Sequence, residues 1–144
     1  LFINEPVRRE RFDVPVIYGQ TMLVTAGLTA LTKVLAARTR PYVYNPNAPR
    51  DKKLEKDARH SFFSGHTSFT AASMFFNAKV FSDLNPNSRW KPLVWSISAA
   101  VPFAVATLRV TAGKHYFTDV FVGYLVGAAV GILVPHLHTL QTGN

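Results

Sequence analysis

Apolar residues fall in four long runs along the chain, at about 14–38, 64–82, 92–109 and 116–138, and the polar residues gather between them. The runs are too long for strands and alternate only weakly, so the pattern predicts an all-α fold. Asn45-Pro46-Asn47-Ala48-Pro49 and Asn85-Pro86-Asn87-Ser88 break two of the intervals, and Thr111-Ala112-Gly113 reads as a tight turn in the third. Arg50 to His60 is charged and mixed in sign, which predicts a solvated loop or a short surface helix. Together these elements predict a single domain over 1–144, an antiparallel bundle in which four long helices are visible.

The fourth run carries Gly123, Gly127 and Gly131 every four residues, on one face, with His115 and Asp119 continuing the stripe upward. Glycine destabilises a water-exposed helix, but in lipid it lets a neighbouring helix approach closely. No Asp, Glu, Lys or Arg follows Asp119. The first run places Thr21, Thr25, Thr29 and Lys33 on one stripe, tolerable only if that face lies inside a bundle. A buried helix in a soluble all-α protein is the alternative; the glycines and the uncharged tail favour a transmembrane bundle.

The chain has 16 Lys+Arg against 8 Asp+Glu, a net charge of +8. Nucleic acid is the usual first guess for such a balance. Here, however, seven of the basic residues and three of the acids crowd between Arg38 and Arg59, the other nine and five are scattered along apolar-rich sequence, and no reading module accompanies them. Nucleic acid is therefore not an expected partner. The absence of cysteine excludes disulfides, thiolate metal sites and thiol catalysis. Histidines and carboxylates are too sparse and badly spaced for zinc, so no metal site is expected. The chain opens at Leu1 without a signal peptide, which suggests sequence missing upstream.

Three polar clusters remain. If neighbouring helices run antiparallel, the first ends at Arg40, the second begins at Ser64, the third ends at Arg109 and the fourth begins near His115. All the clusters then share one end of the bundle. Lys33 and Arg40 are seven apart, two helical turns, so they share one side of the end of the first helix, which Pro41 stops. Ser64 suits an N-cap, and the free N–H groups of a helix start, opened by Gly65, suit a phosphate. His66 would hang over that site as a proton donor. Asp119, four residues after His115, would sit one turn below it and accept a hydrogen bond from one ring nitrogen, leaving the other with its lone pair. Fixed cations, an imidazole backed by a carboxylate and a second histidine are the inventory for moving a phosphoryl group through histidine.

These residues resemble the phosphatidic acid phosphatase type 2 and haloperoxidase superfamily, whose pattern is K-x6-R-P, P-S-G-H and S-R-x5-H-x3-D. The chain reads Lys33-x6-Arg40-Pro41, Phe63-Ser64-Gly65-His66 and Leu108-Arg109-x5-His115-x3-Asp119, so every charged and histidine position agrees. The resemblance implies a metal-independent site with His115 as nucleophile, Asp119 as its partner and His66 as general acid. It further implies that Lys33, Arg40, Arg109, Ser64 and the Gly65 backbone bind phosphate. Phe63 replaces proline and is expected to face the substrate tail; Leu108 replaces serine and removes one phosphate hydrogen bond. Membrane members have six helices, which agrees with a missing N-terminal pair.

The function expected is hydrolysis of a phosphate monoester or pyrophosphate on a lipid, by way of a phosphohistidine. The substrate would be a phospholipid or other lipid phosphate. No cofactor is expected, although vanadate would fit as a phosphate mimic. A soluble acid phosphatase or vanadium-dependent haloperoxidase of the same superfamily, and a catalytically silent membrane scaffold, are the alternatives. The expected location is a bacterial inner membrane, where the resemblance implies a site facing the periplasm or outside. The Lys/Arg distribution does not by itself decide sidedness.

Overall fold

A computed structural model describes residues 5–139, with side chains from 13 to 138, and shows helices without strands among them. The long helices are α1 (Glu5–Ala36), α3 (Gly65–Leu84), α4 (Lys91–Thr111) and α5 (Phe117–Thr139). Between the first two lie the short α2 (Arg50–Leu54) and two single 3₁₀ turns, Pro41–Tyr44 and Lys56–Arg59. The predicted runs thus correspond to the four long helices. The charged stretch folds into a short helix and a turn.

The first helix ends earlier than its sequence predicts. Ala37 takes a left-handed backbone, φ 41°, and its N–H bonds the Lys33 carbonyl at 3.2 Å, closing α1 short of Arg40. Arg40 is extended, φ −72° and ψ 150°, since it precedes Pro41. The expectation that Lys33 and Arg40 share one side of a helix is therefore wrong: Lys33 is helical, and Arg40 lies on the strap that follows.

Helix α3 is the centre of the bundle and packs against α1, α4 and α5. Its close contact with α5 explains the glycine stripe. A β-carbon on Gly123 would lie 2.8 Å from the Ser64 carbonyl oxygen, and β-carbons on Gly127 and Gly131 would collide with the carbonyl oxygens of Ser68 and Ala72. Against α1, Thr29 and Ser68 share a hydrogen bond at 3.2 Å. Thr21 and Thr25 return their hydroxyls to Ile17 and Thr21 carbonyls, so the predicted threonine stripe is buried and satisfied. Phe75 meets Trp95 of α4 and Tyr124 of α5, and Tyr124 donates to the Ala99 carbonyl at 3.1 Å.

Burial runs opposite to that of a water-soluble protein. Inside lie Thr21, Thr25, Thr67, Ser68, Ser98 and small alanines, whereas Leu23, Leu35, Phe103, Leu108 and Leu133 are exposed outside. Three stretches, Asp13–Tyr44, Lys91–Thr111 and Phe117–His138, are long and apolar enough to cross a bilayer. A small, polar interior inside a leucine and phenylalanine sheath is the arrangement of an integral membrane bundle.

Candidate active site

All three polar clusters meet at one end of the bundle, as parity requires. Three backbone hydrogen bonds stitch them together: Arg40 N–H to Ala58 at 2.9 Å, Tyr42 N–H to Gly113 at 3.0 Å, and Ser64 N–H to Asp119 at 2.9 Å. Gly113 makes the α4–α5 turn with φ 65°, a conformation that suits glycine. The buried Ser64 caps α3, its hydroxyl accepting from the Thr67 hydroxyl at 3.0 Å and from the Thr67 N–H at 3.5 Å.

His115 is buried just before α5. Its Nδ1 lies 2.9 Å from the Ser61 carbonyl. A carbonyl only accepts, so Nδ1 carries the proton and Nε2 the lone pair. Nε2 faces Arg40 Nη1 at 3.4 Å. Burial, then the positive charge of Arg40, and more weakly Lys33, hold the imidazole down to about 4, against the upward pull of Asp119 and the Ser61 bond. At neutral pH the ring is uncharged and Nε2 carries a free lone pair.

The predicted hydrogen bond from His115 to Asp119 is not made. The carboxylate stays 3.6 Å from Nδ1, because the ring proton is already taken by Ser61. Asp119 is fully buried and satisfied otherwise: Oδ1 accepts from Arg38 Nη1 at 2.7 Å, and Oδ2 accepts from the Ser61 hydroxyl and from Tyr116 N–H at 3.0 Å. The Tyr116 bond is the return half of a capping box, an N3 acid reaching back to the first residue of the cap. Asp119 works electrostatically on the ring, not as a direct partner.

Arg40 is oriented by Asp57, which accepts from Nε through its carbonyl at 2.9 Å and pairs with Nη2 through its carboxylate at 2.8 Å. Lys33 and Arg109 form no ion pair among the described residues, which leaves both charges available to an anion. A β-carbon on Gly65 would lie 3.8 Å from Lys33 Nζ, so the helix start and this ammonium adjoin one another. His66, on the first turn of α3, is exposed among cations. Loss of solvation first, then Arg109, Lys33, Lys114 and Arg40, hold its imidazole below the ordinary histidine range. A phosphate bound there would cancel those charges and return the proton to His66.

Phe63 is not directed at a substrate tail: it is buried and packs where α5 passes at Gly123. Leu108, in the place of serine, is exposed on the outer face of α4. Arg38, Asp57 and Ser61 join the site without belonging to any motif, because each enters through a contact remote in sequence. No local signal marks them, since the sequence reads Arg38 as the last turn of a helix and Asp57 as part of a solvated charged stretch.

A family model described as the PAP2 superfamily matches residues 15–142. The chain is 33% identical over 132 residues to human phospholipid phosphatase 2, covering 76% of this chain and 46% of that protein. It is 25% identical over 136 residues to a lipid A 4'-phosphatase of Porphyromonas gingivalis, covering 93% of this chain and 54% of that one. It is 30% identical over 115 residues to a probable diacylglycerol pyrophosphate phosphatase of Schizosaccharomyces pombe, covering 68% and 40%. The chain spans about half, or less, of the length of these curated relatives. No solved structure matches.

Proposed function

The chain belongs to the PAP2 superfamily, and from that premise and the geometry we propose that it hydrolyses a phosphate monoester or pyrophosphate on a lipid through a phosphohistidine at His115. The observation that carries this is the His115 ring, its Nδ1 proton on the Ser61 carbonyl and its Nε2 turned to Arg40. Nε2 attacks phosphorus and forms the N–P bond as the P–O bond to the lipid breaks. His66 protonates the departing alkoxide. Water then attacks the phosphohistidine, giving its proton to His66 and freeing inorganic phosphate and His115. Lys33, Arg40, Arg109 and the N–H groups around Gly65 stabilise the charge on the transferring phosphoryl oxygens. With those fixed charges no metal is needed. The buried Asp119 favours the ring once phosphorylation makes it cationic.

The relatives named above act on phospholipid, lipid A and diacylglycerol pyrophosphate. That range, and the lipid-facing surface of the bundle, support a lipid phosphate as substrate. The test is phosphate release by the detergent-purified protein from a panel of lipid phosphates. We expect activity on at least one lipid, unchanged in chelator and competitively inhibited by vanadate. Activity lost in chelator and restored by magnesium contradicts the reading.

In the same panel, His66→Ala loses about 10²–10⁴-fold on alkyl phosphates, where the leaving group needs a proton, and much less on p-nitrophenyl phosphate. Equal losses on both remove His66 from this role. We place the protein in a bacterial inner membrane with the site facing outward. The 144 residues contain no cysteine, so a cysteine placed at the exposed Asn47 reports sidedness through an impermeant maleimide on intact cells.

A further inference from the structure

Arg38 belongs to none of the motifs, yet its bonds close a ring around the buried centre. Its carbonyl accepts the Ser61 N–H at 2.9 Å. Ser61 in turn accepts the His115 Nδ1 proton on its carbonyl and donates its hydroxyl to Asp119 Oδ2. The ring closes where Arg38 Nη1 donates to Asp119 Oδ1 at 2.7 Å. The same nitrogen meets the Thr118 hydroxyl at 2.7 Å, and the guanidinium lies 4.1 Å above the Tyr116 ring. Three segments remote in sequence are joined by side chains and backbone together.

We propose that Arg38 is a positioning residue for the reaction, the cation that closes this ring and so holds His115 in its attacking tautomer and orientation. The inference rests on the reading of His115 as nucleophile. Asp119 has no exposed surface, and a buried carboxylate needs a counter-charge. Among the described residues the only cation paired to it is Arg38, since His115 is neutral. Without Arg38 the nearest group able to neutralise Asp119 is the His115 ring itself. Taking up a proton there would remove the Nε2 lone pair. Arg38 therefore gives the buried carboxylate a partner cation that is not the nucleophile's own ring. Arg38 is also unlike Lys33 and Arg109, whose charges remain open to an anion: its Nη1 is committed to Asp119 and Thr118.

The charged groups acting on His115 are Arg40 of the strap, Asp119 of α5 and Lys33 of α1; Arg38 reaches the ring through Asp119, and Asp57 pairs Arg40 from behind. His66 of α3 and Arg109 of α4 stand at the same end of the bundle. Removing Arg38 deletes one positive charge and leaves Asp119 uncompensated, so the ring gains affinity for a proton and the acid limb of the rate profile moves up.

The experiment compares wild type with Arg38→Lys, Arg38→Gln and Arg38→Ala on a hydrolysed lipid phosphate, measuring kcat, KM and the acid limb of kcat/KM. Substrate ionisation is common to all four and cancels in the differences. We expect KM to stay within about threefold, and kcat to fall about 10²-fold in the glutamine and alanine variants. In those two the acid limb rises by about one pH unit, and in Arg38→Lys it does not move. Should the alanine variant fail to accumulate, Arg38→Gln decides. Unchanged kcat overturns the proposal. So does a loss confined to KM, which would make Arg38 a phosphate ligand, or an equal loss in all three variants with the acid limb unmoved. A wild type inactive on every lipid tested sinks the functional reading itself, a different outcome from an active wild type indifferent to Arg38.

Discussion

Replacing His115 with glutamine lowers turnover by at least about 10³-fold while leaving the bundle folded. Glutamine retains a donor for the Ser61 carbonyl and nearly fills the site, so the buried hydrogen-bond ring is not opened. What it lacks is the nitrogen lone pair now turned to Arg40. Removing a nucleophile leaves only the stabilisation that fixed cations offer to attack by water, which is why the loss is large but not total. Initial rates on the best lipid phosphate, with vanadate affinity as a check that the anion site persists, measure it. An active His115→Gln enzyme would assign the chemistry to another group.

Gly127→Leu should cost about 10²-fold or more in rate although it changes no charged or histidine group. A β-carbon at this position would overlap the Ser68 carbonyl and lie 2.9 Å from the Ala71 β-carbon, so α3 and α5 must separate. Ser64 and His66 ride on the start of α3, and His115 and Asp119 on the start of α5. Separation therefore moves the phosphate-binding half of the site away from the nucleophile, and a displacement of about 1 Å at reacting atoms costs about 10²-fold. Gly27→Leu is the matched control: nothing lies within 4 Å of its added carbon, and it should keep full activity. Equal activity in the two variants would mean that the α3–α5 contact does not position the site.

The contrast between these two glycines marks how far the sequence could be read. Gly123, Gly127 and Gly131 point to a close helix contact because their period matches one helical face; that α3 fills it is settled by the fold. That Lys33, Arg40, Ser64, His66, Arg109, His115 and Asp119 meet at one end of the bundle was legible because antiparallel packing restricts where such clusters fall. The end of α1 was not, because alanine has no intrinsic preference for the left-handed turn that Ala37 adopts; the strap bonding of Arg40 and Tyr42 imposes it. Nor was the true partner of the His115 ring. A spacing of four nominated Asp119, whereas the Ser61 carbonyl, 54 residues away, takes the proton. Asp57 lay hidden in a charged stretch that reads as solvated surface, yet it aims Arg40.

Everything proposed for this site depends on phosphate passing through His115, and the direct test is to catch it there. The protein is mixed with a lipid phosphate labelled on the transferring phosphorus and quenched within milliseconds. Label should appear on the protein, survive base, be lost in acid and map to His115, with none in His115→Gln. A wild type that turns over at full rate without ever carrying label, or label on any other residue, contradicts a phosphohistidine at this position.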